Sequence, residues 1–470
     1  MARLGAALQA SSIKSCQWKG SGKVERWGSG EGDIDLLVER TALAGFTELL
    51  AGLGFKPAFA APERAIPGII SFVGLDEQLG RLIHIHAHFA LILGRADTRH
   101  YHLAIERAVH KTAFPRLFFK TPAPEYEFIL FVLQQTLRHD PLVAPGATTD
   151  RIAALQPELT RLERLAEPAA VVRTLAESFP DIGVSFFERC LGTLRPGASR
   201  WRGLAAHAEL GWRLRAHGHG GTIASWLGRA LKKIARAALP NSGFSDSGKR
   251  LAGGGAVIAL IGADGAGKST CARALQNWLA AELNTCHAHL GRPPRSPSTL
   301  AAGGALKLGV WLDRLRGRKI SGLTAHLELL RHLATARDRH RLFSRVQRFA
   351  TAGGIAICER YPIPAAYGLA GPSRAQGLAL DARTRFARGL RRVEAWYYQR
   401  ITAPDQIFVL RVEPEVAVRR KTDEPEDYVR ARARRMWTTD WSNADAIVID
   451  AGRPIEEVLT DLRARIWESL

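Results

Sequence analysis

Residues 262 to 270 read Gly-Ala-Asp-Gly-Ala-Gly-Lys-Ser-Thr. Gly262 and Gly267 are separated by four residues, and Lys268, Ser269 and Thr270 follow directly. The chemistry within reach is phosphate binding. Glycines let the backbone curl until its N–H groups converge on an anion, and a helix start behind them adds the positive end of its dipole. In such a loop the Lys268 ammonium bridges the β- and γ-phosphates of ATP and the Ser269 hydroxyl holds Mg²⁺. Gly262, Gly265, Gly267, Lys268, Ser269 and Thr270 are therefore the candidate phosphate-binding residues. The competing reading is a Gly-rich turn with a structural purpose only.

Three further groupings could carry chemistry. Glu359-Arg360-Tyr361 follows an apolar run, Ile355-Ala356-Ile357-Cys358. A carboxylate at the end of a buried strand beside a phosphate loop is placed to hold Mg²⁺ or its water shell, and an arginine next to it can grip an acceptor's phosphate in a bidentate bond. The alternative is a surface ion pair. Nearer the N-terminus, Gly20-Ser21 is followed, after eleven intervening residues, by Asp33-Ile34-Asp35, two carboxylates on one strand face. Finally, His84, His86 and His88 alternate along a strand-like run and share a face. They form either a metal site or a polar, nucleotide-contacting face.

The elements that position these residues are legible from periodicity. Residues 254–261 form an apolar run rich in β-branched side chains, read as a buried parallel strand; residues 270–279 have helical spacing. Strand, Gly-rich turn, helix is the order a phosphate loop requires. Further strands are expected at 287–290, 353–358, 406–412 and 446–450, with a long Arg-rich helix over 327–349, a helix start at Pro414 and a closing helix over 454–470. In the N-terminal half, strands are expected at 34–38, 66–73 and 81–93, and a helix over 42–53. A helix from Pro122 to about His139 and a helical stretch over 150–240 follow.

On these residues the C-terminal half, from about residue 255 to residue 470, resembles the thymidylate kinase family of nucleoside monophosphate kinases. Asp264-Gly265-Ala266-Gly267-Lys268-Ser269 is similar to the family's acidic phosphate loop, Glu359-Arg360-Tyr361 to its Asp-Arg-Tyr motif, and Asp338-Arg339 to the Asp-Arg pair on the preceding helix. Gly291-Arg292-Pro293 stands where the family has an Arg-Glu-Pro-Gly loop, and Pro414 to Arg420 where its lid opens. The resemblance implies acceptor-binding roles for Asp264, Arg292, Arg339, Arg360 and Tyr361, metal ligation by Ser269 and Glu359, and catalytic roles for Lys268, Arg360 and Arg420. The chain departs from the family in a short acidic lid (Asp423, Glu424, Glu426, Asp427) and in the loop Pro362 to Gly368, which lacks the usual serine. These departures leave the acceptor open.

Residues of about 15 to 145 resemble the polymerase-β-like nucleotidyltransferases. There the Gly-Ser turn holds a triphosphate, implying that role for Gly20 and Ser21, and the Asp-x-Asp pair holds Mg²⁺, implying it for Asp33 and Asp35. The family's third carboxylate has no counterpart: the corresponding strand carries His84, His86 and His88 instead.

The 470 residues, 46% hydrophobic and 24% charged, are those of a multidomain globular chain. The expected class is α/β. It comprises a nucleotidyltransferase-like α+β domain over 1–145, a helical extension over 146–239, a linker over 240–252 and a P-loop domain with a parallel sheet and flanking helices over 253–470. The net charge of +21 favours anionic partners, here ATP and a phosphorylated small-molecule acceptor ahead of nucleic acid. Five scattered cysteines without a CxxC argue against a disulfide framework and for a reducing, cytoplasmic setting. No apolar run is long enough to span a membrane. Trp226, Leu227, Leu231 and Ile234, interleaved with Arg229, Lys232, Lys233 and Arg236, form a basic amphipathic helix that either packs between domains or touches an anionic membrane. Trp437 and Trp441 either stack on a base or pack internally. The expected activity is ATP-dependent phosphotransfer. The alternatives are a nucleotidyltransferase with a nucleotide-sensing kinase-like half, and a non-catalytic nucleotide-binding regulator.

Overall fold

The computed structural model describes residues 1–20, 22, 32–60, 65–94, 100–138, 145–219, 248–317, 322–363 and 384–470. The chain divides into two compact units, Met1–Pro240 and Asn241–Leu470. Ser21, the basic helix containing Trp226, most of the linker and the loop residues 364–368 lie outside the described residues.

In the N-terminal unit, helix α1 (Ala2–Ala10) precedes β1 (Ser15–Gln17), β2 (Ile34–Val38), α2 (Leu43–Gly52), β3 (Lys56–Phe59), β4 (Ile69–Asp76) and β5 (Arg81–His88). Within this unit the sheet runs β1-β2-β5-β4-β3. Among the described residues of this sheet only β2 and β5 pair in parallel, in a register that sets Asp35 opposite His86. Alternation then sorts the faces. Ile34, Leu36, Ile83, Ile85 and Ala87 point into a core with Phe46 and Leu50 of α2. Asp35, His84, His86 and His88 occupy the alternate positions of the same strands.

The expected strand over 81–93 is two strands. β5 ends at His88, and β6 (Leu91–Gly94) pairs with β7 (His100–Leu103) in a separate small sheet. β4 runs past the expected end at residue 73 to Asp76, whose side chain accepts hydrogen bonds from the Gln78 and Leu79 N–H groups and closes the turn locally. After α3 (Glu106–Thr112) and the hairpin β8 (Phe114–Arg116) and β9 (Phe119–Thr121), the chain is helical: α4 (Pro124–Leu137), α5 (Pro145–Leu165), α6 (Pro168–Ser178), α7 (Val184–Thr193) and α8 (Arg200–Arg213). Pro124 and Pro168 start their helices where a missing N–H costs nothing. Helix α4 is buried along most of its length and shares one apolar core with the other helices and with Leu91, Leu93 and Tyr101. A short strand, β10 (Gly218–His219), returns antiparallel to β7.

In the C-terminal unit a two-residue strand, β11 (Arg250–Leu251), leads to β12 (Ala256–Gly262), α9 (Lys268–Ala280), β13 (Thr285–His289), α10 (Pro297–Leu315), α11 (Gly322–Thr351) and β14 (Ile355–Glu359). Then come α12 (Arg385–Gln399), β15 (Gln406–Arg411), α13 (Pro414–Arg420), α14 (Glu426–Thr438), β16 (Ala446–Asp450) and α15 (Ile455–Ser469). Five parallel strands form one sheet in the order β13-β14-β12-β15-β16. Val257 to Ile261 are wholly buried, as a parallel strand covered on both faces requires. Successive strands are added to one side of β12 and then to the other. That reversal opens a crevice at the carboxyl ends of β12 and β14, where ligands of open α/β sheets bind.

All five cysteines are buried and unbonded, and burial pushes the Cys286 thiol up to about 12. Among the described residues, no helix is long and apolar enough to cross a membrane.

Candidate functional site

The loop between β12 and α9 sits at that crevice. Gly265 and Gly267 have φ of 84° and 80°, the left-handed region that favours glycine. At Gly265 there is no room for a side chain either, since a Cβ would lie 2.6 Å from the Ala417 carbonyl oxygen. Helix α9 begins at Lys268, so its unpaired N–H groups and positive dipole end face the loop. The Lys268 ammonium is buried and donates to the Ala263 carbonyl at 2.6 Å. Burial lowers its pKa to about 8, partly offset by Asp264, so it stays charged at neutral pH. A phosphate at the loop offers that ammonium a stronger, charge-assisted acceptor than the Ala263 carbonyl.

Ser269 and Glu359 come from α9 and from the end of β14. The Ser269 hydroxyl donates to Glu359 Oε2 at 2.6 Å, and His287 Nε2 lies 2.8 Å from Glu359 Oε1. Burial raises the Glu359 pKa, but the bonds from His287 and Ser269 outweigh it and hold the carboxyl at about 2. A hydroxyl and an ionised carboxylate side by side are hard oxygen donors, a set that fits Mg²⁺ at the edge of a phosphate loop. His287 was not singled out from the sequence. Its signal was only its place on β13, next to β14 and two residues before His289, which pairs with Glu359.

Asp264 is ringed by cations. Arg360 hydrogen-bonds its Oδ1, Arg432 Nη1 lies 3.4 Å from Oδ2, and Lys268 Nζ lies 3.8 Å from Oδ1. Arg360 takes φ 51°, a conformation that costs a non-glycine residue about 1–3 kcal/mol and tends to persist at functional positions. Its side chain crosses Gly291 so closely that a Cβ there would lie 2.7 Å from Arg360 Cδ.

Four expected site residues are placed differently. The Arg420 guanidinium is engaged by the carbonyls of Ala451 and Gly452, to which it donates at 2.8 and 3.4 Å. Helix α13 points it that way, and Arg432 of α14 supplies the cation at Asp264 instead. Arg339 is buried, with Nε on the Leu290 carbonyl at 2.6 Å and Nη1 on the Tyr398 hydroxyl. Its neighbour Asp338 accepts from the Ser296 N–H and the Thr299 hydroxyl, so this Asp-Arg pair anchors the segment after β13. Tyr361 is fully buried and donates to the Thr402 carbonyl at 2.8 Å. The Arg292 side chain is exposed, and its backbone N–H caps His289 Nδ1. The first three therefore engage carbonyls and a tyrosine hydroxyl of the scaffold.

In the N-terminal unit the parallel register brings the second constellation together. His84 Nδ1 lies 2.7 Å from Asp33 Oδ1, and His88 Nε2 lies 3.0 Å from Asp35 Oδ1. His86 Nδ1 lies 3.8 Å from Asp33 Oδ2 and 3.4 Å from Asp35 Oδ1. Lys19, next to Gly20 and not anticipated, sets its ammonium 2.8 Å from Asp35 Oδ1. Burial alone would raise the Asp35 pKa; Lys19, His86 and His88 hold it well below the usual carboxylate range. Burial takes His88 down to about 4. The face opens on a cleft of about 730 Å³ lined by Lys19, Gly20, Asp33, Asp35 and His86. The Asp33–Asp35 pair does not fit Mg²⁺ as the nucleotidyltransferase resemblance implies. Mg²⁺ wants oxygen donors and its own waters, whereas Asp35 is engaged by an ammonium and two imidazoles, and nitrogen stands where a third carboxylate is needed.

No family model matches the chain, and no curated protein matches it in sequence.

Proposed function

We propose that the chain is an ATP-dependent phosphotransferase. Its C-terminal unit acts as a thymidylate kinase does, moving the γ-phosphoryl group of ATP to a nucleoside monophosphate or related phosphorylated acceptor in the cytoplasm. The observation that carries this reading is the 2.6 Å hydrogen bond between Ser269 and Glu359 beside the curled glycine loop. It pairs a helix N-terminus for phosphate with oxygen ligands for its counter-ion. Mg²⁺ held there with ATP supplies neutralisation of the phosphate charge. The protein's own part is positioning and positive charge, which phosphoryl transfer needs more than a strong base. Lys268 leaves the Ala263 carbonyl for the ATP phosphates. Arg360 and Arg432, both held at Asp264, would supply positive charge to the transferring group and its acceptor. The bond from the γ-phosphorus to the bridging oxygen of ADP breaks as one forms to the acceptor oxygen.

The purified full chain, given γ-labelled ATP and a panel of nucleoside monophosphates, sugars and sugar phosphates, tests the proposal. Label on one acceptor with matching ADP supports it. Pyrophosphate release favours a nucleotidyltransferase instead, and ATP binding without turnover favours a nucleotide-sensing regulator.

A further inference from the structure

We propose that Asp33, His84 and His86 form a site for a borderline divalent transition-metal ion of the Zn²⁺ and Co²⁺ type, distinct from the oxygen-lined position at Ser269 and Glu359. The inference is independent of the phosphotransfer reading. One ligand atom from each of the three residues lies within 4.8 Å of the other two. Asp33 Oδ1 lies 2.7 Å from His84 Nδ1, and Asp33 Oδ2 lies 3.8 Å from His86 Nδ1. Ligands at about 2.0–2.2 Å around a tetrahedral ion stand on the order of 3.3–3.6 Å apart, a spacing inside the 4.8 Å within which these three ligand atoms fall. The rings of His84 and His86 are 4.1 Å apart and nearly perpendicular, at 77°, so both can aim at one point.

The donor chemistry selects the ion. Two imidazoles and one carboxylate suit Zn²⁺, Co²⁺ and their neighbours, whereas Mg²⁺ prefers oxygen alone. The position is built by secondary structure. His84 is buried on β5, and the parallel pairing of β2 with β5 fixes which carboxylates face it. Asp35 Oδ1 stands 3.4 Å from the same His86 nitrogen and is held by Lys19 and His88, so it borders the ion position as a second carboxylate. Asp33 and His86 border the cleft, so a three-ligand ion keeps one coordination position open to water or a small molecule.

The test uses the full-length chain, stripped of metal with a chelator and titrated with Zn²⁺ or Co²⁺ in the presence of millimolar Mg²⁺. The expected result is one equivalent that Mg²⁺ does not displace, with the visible absorption of tetrahedral Co²⁺. His86→Ala and Asp33→Asn alter partly exposed side chains and weaken that affinity by about 10–100-fold. Glu359→Gln leaves it unchanged. Thermal unfolding gives a second readout: Zn²⁺ raises the midpoint of the wild type but not of His86→Ala. The proposal is overturned by the absence of a stoichiometric equivalent, by its displacement by Mg²⁺, by undiminished binding in both N-terminal variants, or by its loss in Glu359→Gln.

Discussion

In the C-terminal unit Glu359 faces one hydroxyl and one imidazole, while in the N-terminal unit Asp33 and Asp35 face three imidazoles and an ammonium. Both settings are produced the same way, by a carboxylate on one parallel strand and its partner on a neighbouring element. The neighbours differ. A helix N-terminus and a hydroxyl beside Glu359 favour phosphate with a hard counter-ion. A histidine-lined strand beside Asp33 favours a softer ion and leaves no equivalent cradle for a triphosphate among the described residues. The position of a carboxylate at a strand end therefore says little about its ion until the facing strand is known.

The largest expected effect that would break this contrast is at Lys268. Lys268→Ala should lower the rate of ADP formation by about 10²–10³-fold in a coupled assay, as loss of a preorganised transition-state donor does. The Zn²⁺ equivalent of the N-terminal unit should remain. Next, Glu359→Gln should lower Mg²⁺-dependent turnover by about 10–100-fold and raise the Mg²⁺ concentration needed, while Asp33→Asn leaves phosphotransfer unchanged. Equal losses in the two variants would erase the distinction between the sites.

A third expectation concerns stability. His332 on α11 is buried, and burial together with the guanidiniums of Arg331 and Arg339 lowers its pKa from 6.5 to about 4. The unfolded chain therefore takes up the proton first. The stability present above the unfolded value drains away as pH falls through that window, reaching on the order of 2 kcal/mol at about pH 5. Urea unfolding of the C-terminal unit at neutral pH and near pH 5 should show this slope, and His332→Gln should flatten it. The smallest effect separates two arginines. Arg432→Ala should slow transfer by about tenfold, the scale of one charge-assisted contact, and Arg420→Ala by less, because Arg420 is spent on the Ala451 and Gly452 carbonyls. The reverse order would return Arg420 to the crevice.

What could be read from the sequence was local. The curl of Gly262 to Ser269, the strand before it and the helix after it follow from residue types within one short stretch. The shared face of His84, His86 and His88 follows from a period of two. Legibility ended where a tertiary neighbour decides. His287 reaches Glu359 because β13 lies beside β14, an order that no spacing reveals. Arg432 displaces Arg420 because the short helix α13 and then α14 aim their arginines in different directions. Arg339 and Tyr361 look like ligands by motif, yet their partners are the carbonyls of Leu290 and Thr402. The break between β5 and β6 was hidden because Arg81 to Leu93 stays strand-like throughout while the chain changes sheets.

The most direct measurement follows the fate of ATP by phosphorus NMR, using the full chain with Mg²⁺ and the best acceptor from the panel. The account predicts ADP and a new phosphoryl resonance on the acceptor, both absent in Lys268→Ala. AMP and pyrophosphate accumulating instead, or ADP forming equally in Lys268→Ala, would contradict it.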